Sequence, residues 1–149
     1  MAILDFLKRK PISIEHPVFG LLTLAKGKNG PYWMHDAYAG DELAISIETV
    51  GDAPPTEQQT AFFRTIVSDP TATFQRAAGL LTPRYEQFFN RPLPEDWNAA
   101  FKLGGVGVPL GGVESNPWDV AFECLTNNSG FLFTCYFVDG RPGHVSVDT

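Results

Sequence analysis

Alternation of apolar and polar residues dominates the first third of the chain. Val18 to Ala25 reads as a strand, with a turn at Lys26 to Gly30, and a second strand lies near Tyr32 to Ala39. Gly40-Asp41 then turns into Glu42 to Val50, where Leu43, Ile45 and Ile47 face one way and Ala44, Ser46 and Glu48 the other. Three strands joined by short turns form an antiparallel meander with one wet face. The period changes after Gly51 to Pro55. Thr56 and Gln59 have the spacing of a capping box, and Phe62, Phe63, Ile66 and Val67 follow at helical intervals. Asp69-Pro70 restarts the chain as N-cap and first-turn proline, and the next helix carries Phe74, Ala77, Ala78 and Leu81 on one stripe. Thr82-Pro83 predicts a second restart leading to Tyr85, Phe88 and Phe89, and Pro94-Glu95-Asp96 predicts a short helix over Glu95 to Lys102.

The last third returns to period two. Lys102 to Leu110 is an irregular strand, its glycines (Gly104, Gly105, Gly107) marking a bulged edge. Trp118 to Thr126 and Phe131 to Val138 form a hairpin around Asn127-Asn128-Ser129-Gly130. Centring that turn on Asn128-Ser129 pairs Val120 with Phe137, Phe122 with Cys135 and Cys124 with Phe133, an apolar face that a one-residue slip would mix. A final strand, Gly143 to Asp148, follows the Asp139-Gly140 turn. Strands, then helices, then strands predict an α+β fold: an antiparallel sheet, from an N-terminal meander and C-terminal hairpins, with two or three central helices packed on one face. Residues 1–13 are an N-terminal segment with room for a short helix, and 14–149 form a single α+β domain. In the N-terminal segment the apolar residues precede Lys8-Arg9-Lys10, the reverse of a secretory signal.

Composition excludes some classes. With 44% hydrophobic and 19% charged residues the chain is not disordered. It lacks the apolar run of about 18 residues that a membrane-spanning helix requires. The net charge of -6 is concentrated: Asp36 to Asp69 holds seven acids and one base, and the remainder is balanced. Without a basic stripe, nucleic acid is not the expected partner.

Motifs for catalysis are absent. The two cysteines lack a CxxC spacing; in the register above, Cys124 and Cys135 are diagonal neighbours in the core, too far apart for a disulfide and best read as reduced, buried thiols in a cytoplasmic protein. His16, His35 and His144 are scattered, so no metal is expected. The glycines of Gly104 to Gly112 match neither a dinucleotide fingerprint nor a P-loop. No cofactor is expected and no catalytic residue is assigned.

Four stretches carry a resemblance: Ile14-Glu15-His16-Pro17-Val18-Phe19-Gly20, Ile45-Ser46-Ile47-Glu48, Pro55-Thr56-Glu57-Gln58-Gln59, and the tail Phe133 to Pro142. Their layout resembles a group of small bacterial proteins from uncharacterised families, some of them proposed to act as immunity proteins beside toxins. The resemblance implies a cytoplasmic α+β domain that acts as a binder. Charge and resemblance together predict a non-catalytic protein-binding module, of immunity or inhibitor type, that presents an acidic face to a basic protein. Trp33, Asp36, Tyr38, Asp41, Glu42 and Glu48 would supply its aromatic anchor and charged rim. The alternative is a small-molecule-binding protein or small enzyme with a pocket between helices and sheet.

Overall fold

The computed structural model describes residues 11–35 and 43–149. Eight strands form one sheet in strictly sequential order: β1 (Ser13–His16), β2 (Gly20–Gly27), β3 (Gly30–His35), β4 (Ala44–Glu48), β5 (Phe101–Val108), β6 (Trp118–Cys124), β7 (Leu132–Val138) and β8 (Arg141–Asp148). Two α-helices, α1 (Glu57–Ser68) and α2 (Pro70–Phe89), lie between β4 and β5 in sequence. The fold is mixed α and β with a mostly antiparallel sheet. The one parallel pair is β4–β5, a pairing that needs a crossover connection, which the two helices supply. Among the described residues no helix is long and apolar enough to cross a membrane.

The start of α1 is where this crossover is fastened. The capping box forms, with Gln59 N donating to Thr56 Oγ1 at 3.1 Å and Thr56 N donating to Gln59 Oε1 at 3.0 Å. Gln59 is only 2% exposed. Its Nε2 donates to the carbonyl of Glu48 at 2.6 Å and to that of Pro109 at 3.1 Å. Glu48 ends β4 and Pro109 follows β5, so one amide ties the helix to the ends of both parallel strands. The turn at Leu110–Gly112 packs on the same helix start. Gly112 has φ +68°, and a Cβ there would fall 2.5 Å from the Gln58 carbonyl carbon. Only glycine fits that approach.

Asp69 caps α2, accepting from Ala72 N at 3.0 Å, and Pro70 opens it as predicted. The predicted break at Thr82-Pro83 does not occur: α2 runs through Pro83 to an Asn90 cap in the left-handed region. Pro83 removes one N–H from the helix ladder. Ala77 and Leu81 before it and Tyr85 after it are nonetheless buried on one stripe, and this packing outweighs the lost bond. The predicted helix over Glu95 to Lys102 is a single 3-10 turn, Trp97–Ala99, because Phe101 already pairs with Cys124 in β5.

The core lies between α1, α2 and one sheet face. Phe74 of α2 stacks on Trp97 at 4.8 Å and meets Phe122 edge-on at 5.6 Å; Phe101 meets Phe133 edge-on at 5.2 Å. Phe62 of α1 abuts Trp118, which stacks on Phe137 at 3.9 Å. Tyr85 closes the far end with a 2.7 Å hydrogen bond to the Thr126 hydroxyl.

Three further expectations are corrected. The β6–β7 hairpin forms with the predicted faces but is shifted by two residues: Trp118 pairs Phe137, Val120 pairs Cys135 and Phe122 pairs Phe133. The loop is longer than a two-residue turn, closed by Cys124 N to Phe131 O at 2.7 Å, with Asn127, Asn128 and Gly130 at positive φ. Cys124 and Cys135 are therefore not diagonal neighbours. They are free and buried, separated by about four residues of strand, roughly 13 Å. Finally, β5 has its bulge between Leu103 and Gly105 but is a central strand, not an edge. The short strand β1 was not predicted; only Ile14 among its four residues is apolar.

Gln59→Leu keeps the volume but leaves two buried carbonyls without a donor. It should destabilise the fold by about 1–3 kcal/mol in urea unfolding, whereas exposed Thr65→Ala should stay within about 0.5 kcal/mol. Equal effects of the two changes would contradict the clamp.

Candidate functional site

The sheet face opposite the helices carries the site. Register sets its residues in a transverse row: Met34 pairs Ser46, Ser46 pairs Gly107, Gly107 pairs Asp119, Asp119 pairs Tyr136 and Tyr136 pairs His144. The next row on the same face is Ala44, Gly105, Ala121 and Thr134. The middle of this face is thus floored by serine, glycine and alanine. Tyr32 and Met34 of β3 stand on one side, Leu132 and Tyr136 of β7 on the other. At about 4.8 Å per strand, Met34 and Tyr136 are about 19 Å apart. Small residues between tall ones leave a groove of about 420 Å3. Thr134 on its floor is 7% exposed, so the face is not uniformly wet.

Asp119 is the one charge on the floor. Its carboxylate lies over Gly107, where a Cβ would fall 2.7 Å from Oδ2. Gly107 gives that carboxylate its room, and its φ is ordinary. Among the described residues no cation or hydrogen-bond donor pairs with Asp119. Lys102, on the same face, reaches Glu123 at 3.2 Å instead. Partial burial raises the Asp119 pKa. Glu48, one row away on the same face, is raised by burial and then by the charge of Asp119. The Cys135 thiol, on the helix side of β7, is pushed up to about 11 by burial and then by the same charge. Tyr136 stacks on His144 at 4.5 Å and nearly parallel, which stiffens that wall.

Of the site residues expected from sequence, Glu48 is in the neighbourhood of the groove, on the face opposite Ile47. Trp33 is not an anchor. It is 0% exposed, pairs with Ile47 on the helix face and donates from Nε1 to the Ala53 carbonyl at 2.7 Å. Strand alternation gives the outward position to its neighbour Tyr32. Asp36, Tyr38, Asp41 and Glu42 lie outside the described residues, as does the N-terminal segment up to Lys10. The sequence reading missed Asp119, Tyr136 and the floor glycines. Alternate glycines at Gly105 and Gly107 and the lone outward acid between Trp118 and Val120 were visible signals, but only the β4–β5–β6 register joins them. No protein-family model, curated protein or solved structure matches the chain.

A carboxylate with a raised native pKa keeps its proton over a pH range in which the unfolded chain has released it. Native stability therefore falls as pH climbs from the ordinary aspartate range to the raised native value, and is level above it. Asp119→Asn should remove this contribution, so the variant gains on wild type across that range and is the more stable protein at neutral pH. Urea midpoints at a series of pH values check this; two parallel curves would contradict it.

Proposed function

We propose that this chain is a non-catalytic protein-binding module that takes a basic partner on the open face of its sheet. The observation that carries the proposal is Asp119: a partly buried carboxylate in an open groove, with no partner among the described residues. An uncompensated charge of this kind costs stability, which a binding role accounts for and a structural role does not. Glu48 beside it and the surplus of acids between Asp36 and Asp69 add an attractive field for a basic surface. The same field opposes phosphate, so nucleic acid is not the proposed partner. The immunity or inhibitor type implied by the sequence resemblance fits a module of this kind, and two free, buried thiols fit a reducing compartment such as the cytoplasm.

A second reading, a small-molecule site, is favoured by the groove volume of about 420 Å3, within the roughly 300–1,000 Å3 of such sites. In that case the ligand sits on the open face, not between helices and sheet as first expected.

The test begins with affinity capture from the source cells, followed by kinetics between purified components. The binding-module proposal predicts a basic protein whose association slows with salt. Asp119→Asn should weaken it by about 30-fold or more, the cost of losing one side of a desolvated charge pair. Ser46→Phe, which fills the groove, should abolish binding, and Glu95→Gln, exposed and remote, should leave it unchanged. Binding that survives both groove variants would overturn the proposal.

A further inference from the structure

We infer that the groove is a receptor for one arginine side chain of the partner protein, its guanidinium on Asp119 and its aliphatic stem along the floor. This rests on the binding-module reading and specifies its chemistry. Three features select arginine. First, Asp119 is the carboxylate that lines the groove, its two oxygens lying over Gly107. A planar guanidinium meets a carboxylate through two parallel hydrogen bonds, where an ammonium is a compact point charge. Second, the floor of Ala44, Ser46, Gly105 and Ala121 offers a weakly polar track. A guanidinium is more weakly hydrated than an ammonium and enters such a site at lower cost. Third, Tyr32 and Tyr136 flank the track, and the Tyr136 ring is already held by its stack on His144. Aromatic faces beside a carboxylate favour a flat cation. Calcium or magnesium does not suit the groove, because these ions take six or more oxygen ligands. Among the described residues no three His, Cys, Asp or Glu groups gather as a ligand set.

The experiment uses three blocked tripeptides, acetyl-Gly-Arg-Gly-amide and its lysine and citrulline counterparts, titrated into the isotope-labelled chain. Amide shifts of Gly105, Gly107, Asp119 and Ala121 report the groove by NMR. The arginine peptide should shift these amides with weak, saturable affinity, the lysine peptide more weakly, and the uncharged citrulline peptide not at all. Asp119→Asn should reduce arginine binding by about tenfold or more, and Ser46→Phe should remove it. Equal binding of citrulline, shifts centred away from the groove, or indifference to Asp119→Asn in a folded variant would overturn the inference. If the purified partner still depends on Asp119 while the arginine peptide does not bind, the arginine assignment falls and the binding module stands. If sedimentation shows a dimer that Asp119→Asn dissociates, a second copy of this chain fills the groove and the partner's arginine does not.

Discussion

Gln59 donates from one buried amide to the last carbonyl of β4 and to the carbonyl that follows β5, while its own oxygen completes the cap of α1. Everything else in the sheet is built by local pairing: β1 to β4 and β5 to β8 are each runs of antiparallel neighbours. Only the β4–β5 seam joins the two halves, and it must be closed across a connection of more than fifty residues. Such a closure costs chain entropy that local hairpins avoid. The Gln59 clamp and the close approach of Gly112 to the helix start are the polar and steric means by which that seam is held. The seam also makes the groove, because it sets Ala44 and Ser46 of β4 beside Gly105 and Gly107 of β5.

The two faces of the sheet divide the work. On the helix face, Phe74, Trp97, Phe101, Phe122 and Phe133 interlock at centroid distances near 5–6 Å and supply the apolar burial that holds the fold. On the other face, side-chain size drops to almost nothing along β5, and the hollow is given to a carboxylate. Gly107 leaves room for that carboxylate, while partial burial penalises its charge. A fold selected only for stability would place a neutral side chain there. The proposed binding role accounts for a disfavoured charge in this hollow.

Much of the first face was legible in the sequence. Ile45 and Ile47 against Ser46 and Glu48, the Thr56–Gln59 box, the Asp69-Pro70 restart and the apolar stripe of Trp118, Val120, Phe122 and Cys124 are local patterns, and local patterns survive into the structure. The hairpin register was not fixed by those patterns. A slip of two residues keeps every side chain on its face, so hydrophobicity cannot choose between the two alignments, and the Asn127–Gly130 loop chose. Pro83 was misread because a propensity penalty yielded to tertiary burial. Trp33 was misread because charge, not strand phase, was used to place it. The groove was illegible for a different reason: it needs the parallel seam, which joins residues some sixty positions apart, and no short-range pattern announces that pairing.

Asp119 stands partly buried in the groove with no cationic partner among the described residues, and its charge adds to burial in raising the pKa of Glu48. Carboxyl 13C NMR titration measures this residue by residue. Asp119 should titrate above the ordinary aspartate range. Glu48, raised in the wild-type chain, should move back toward the ordinary glutamate value when Asp119 is changed to Asn. An ordinary titration of Asp119, together with a Glu48 that ignores the substitution, would mean that the groove holds no penalised charge.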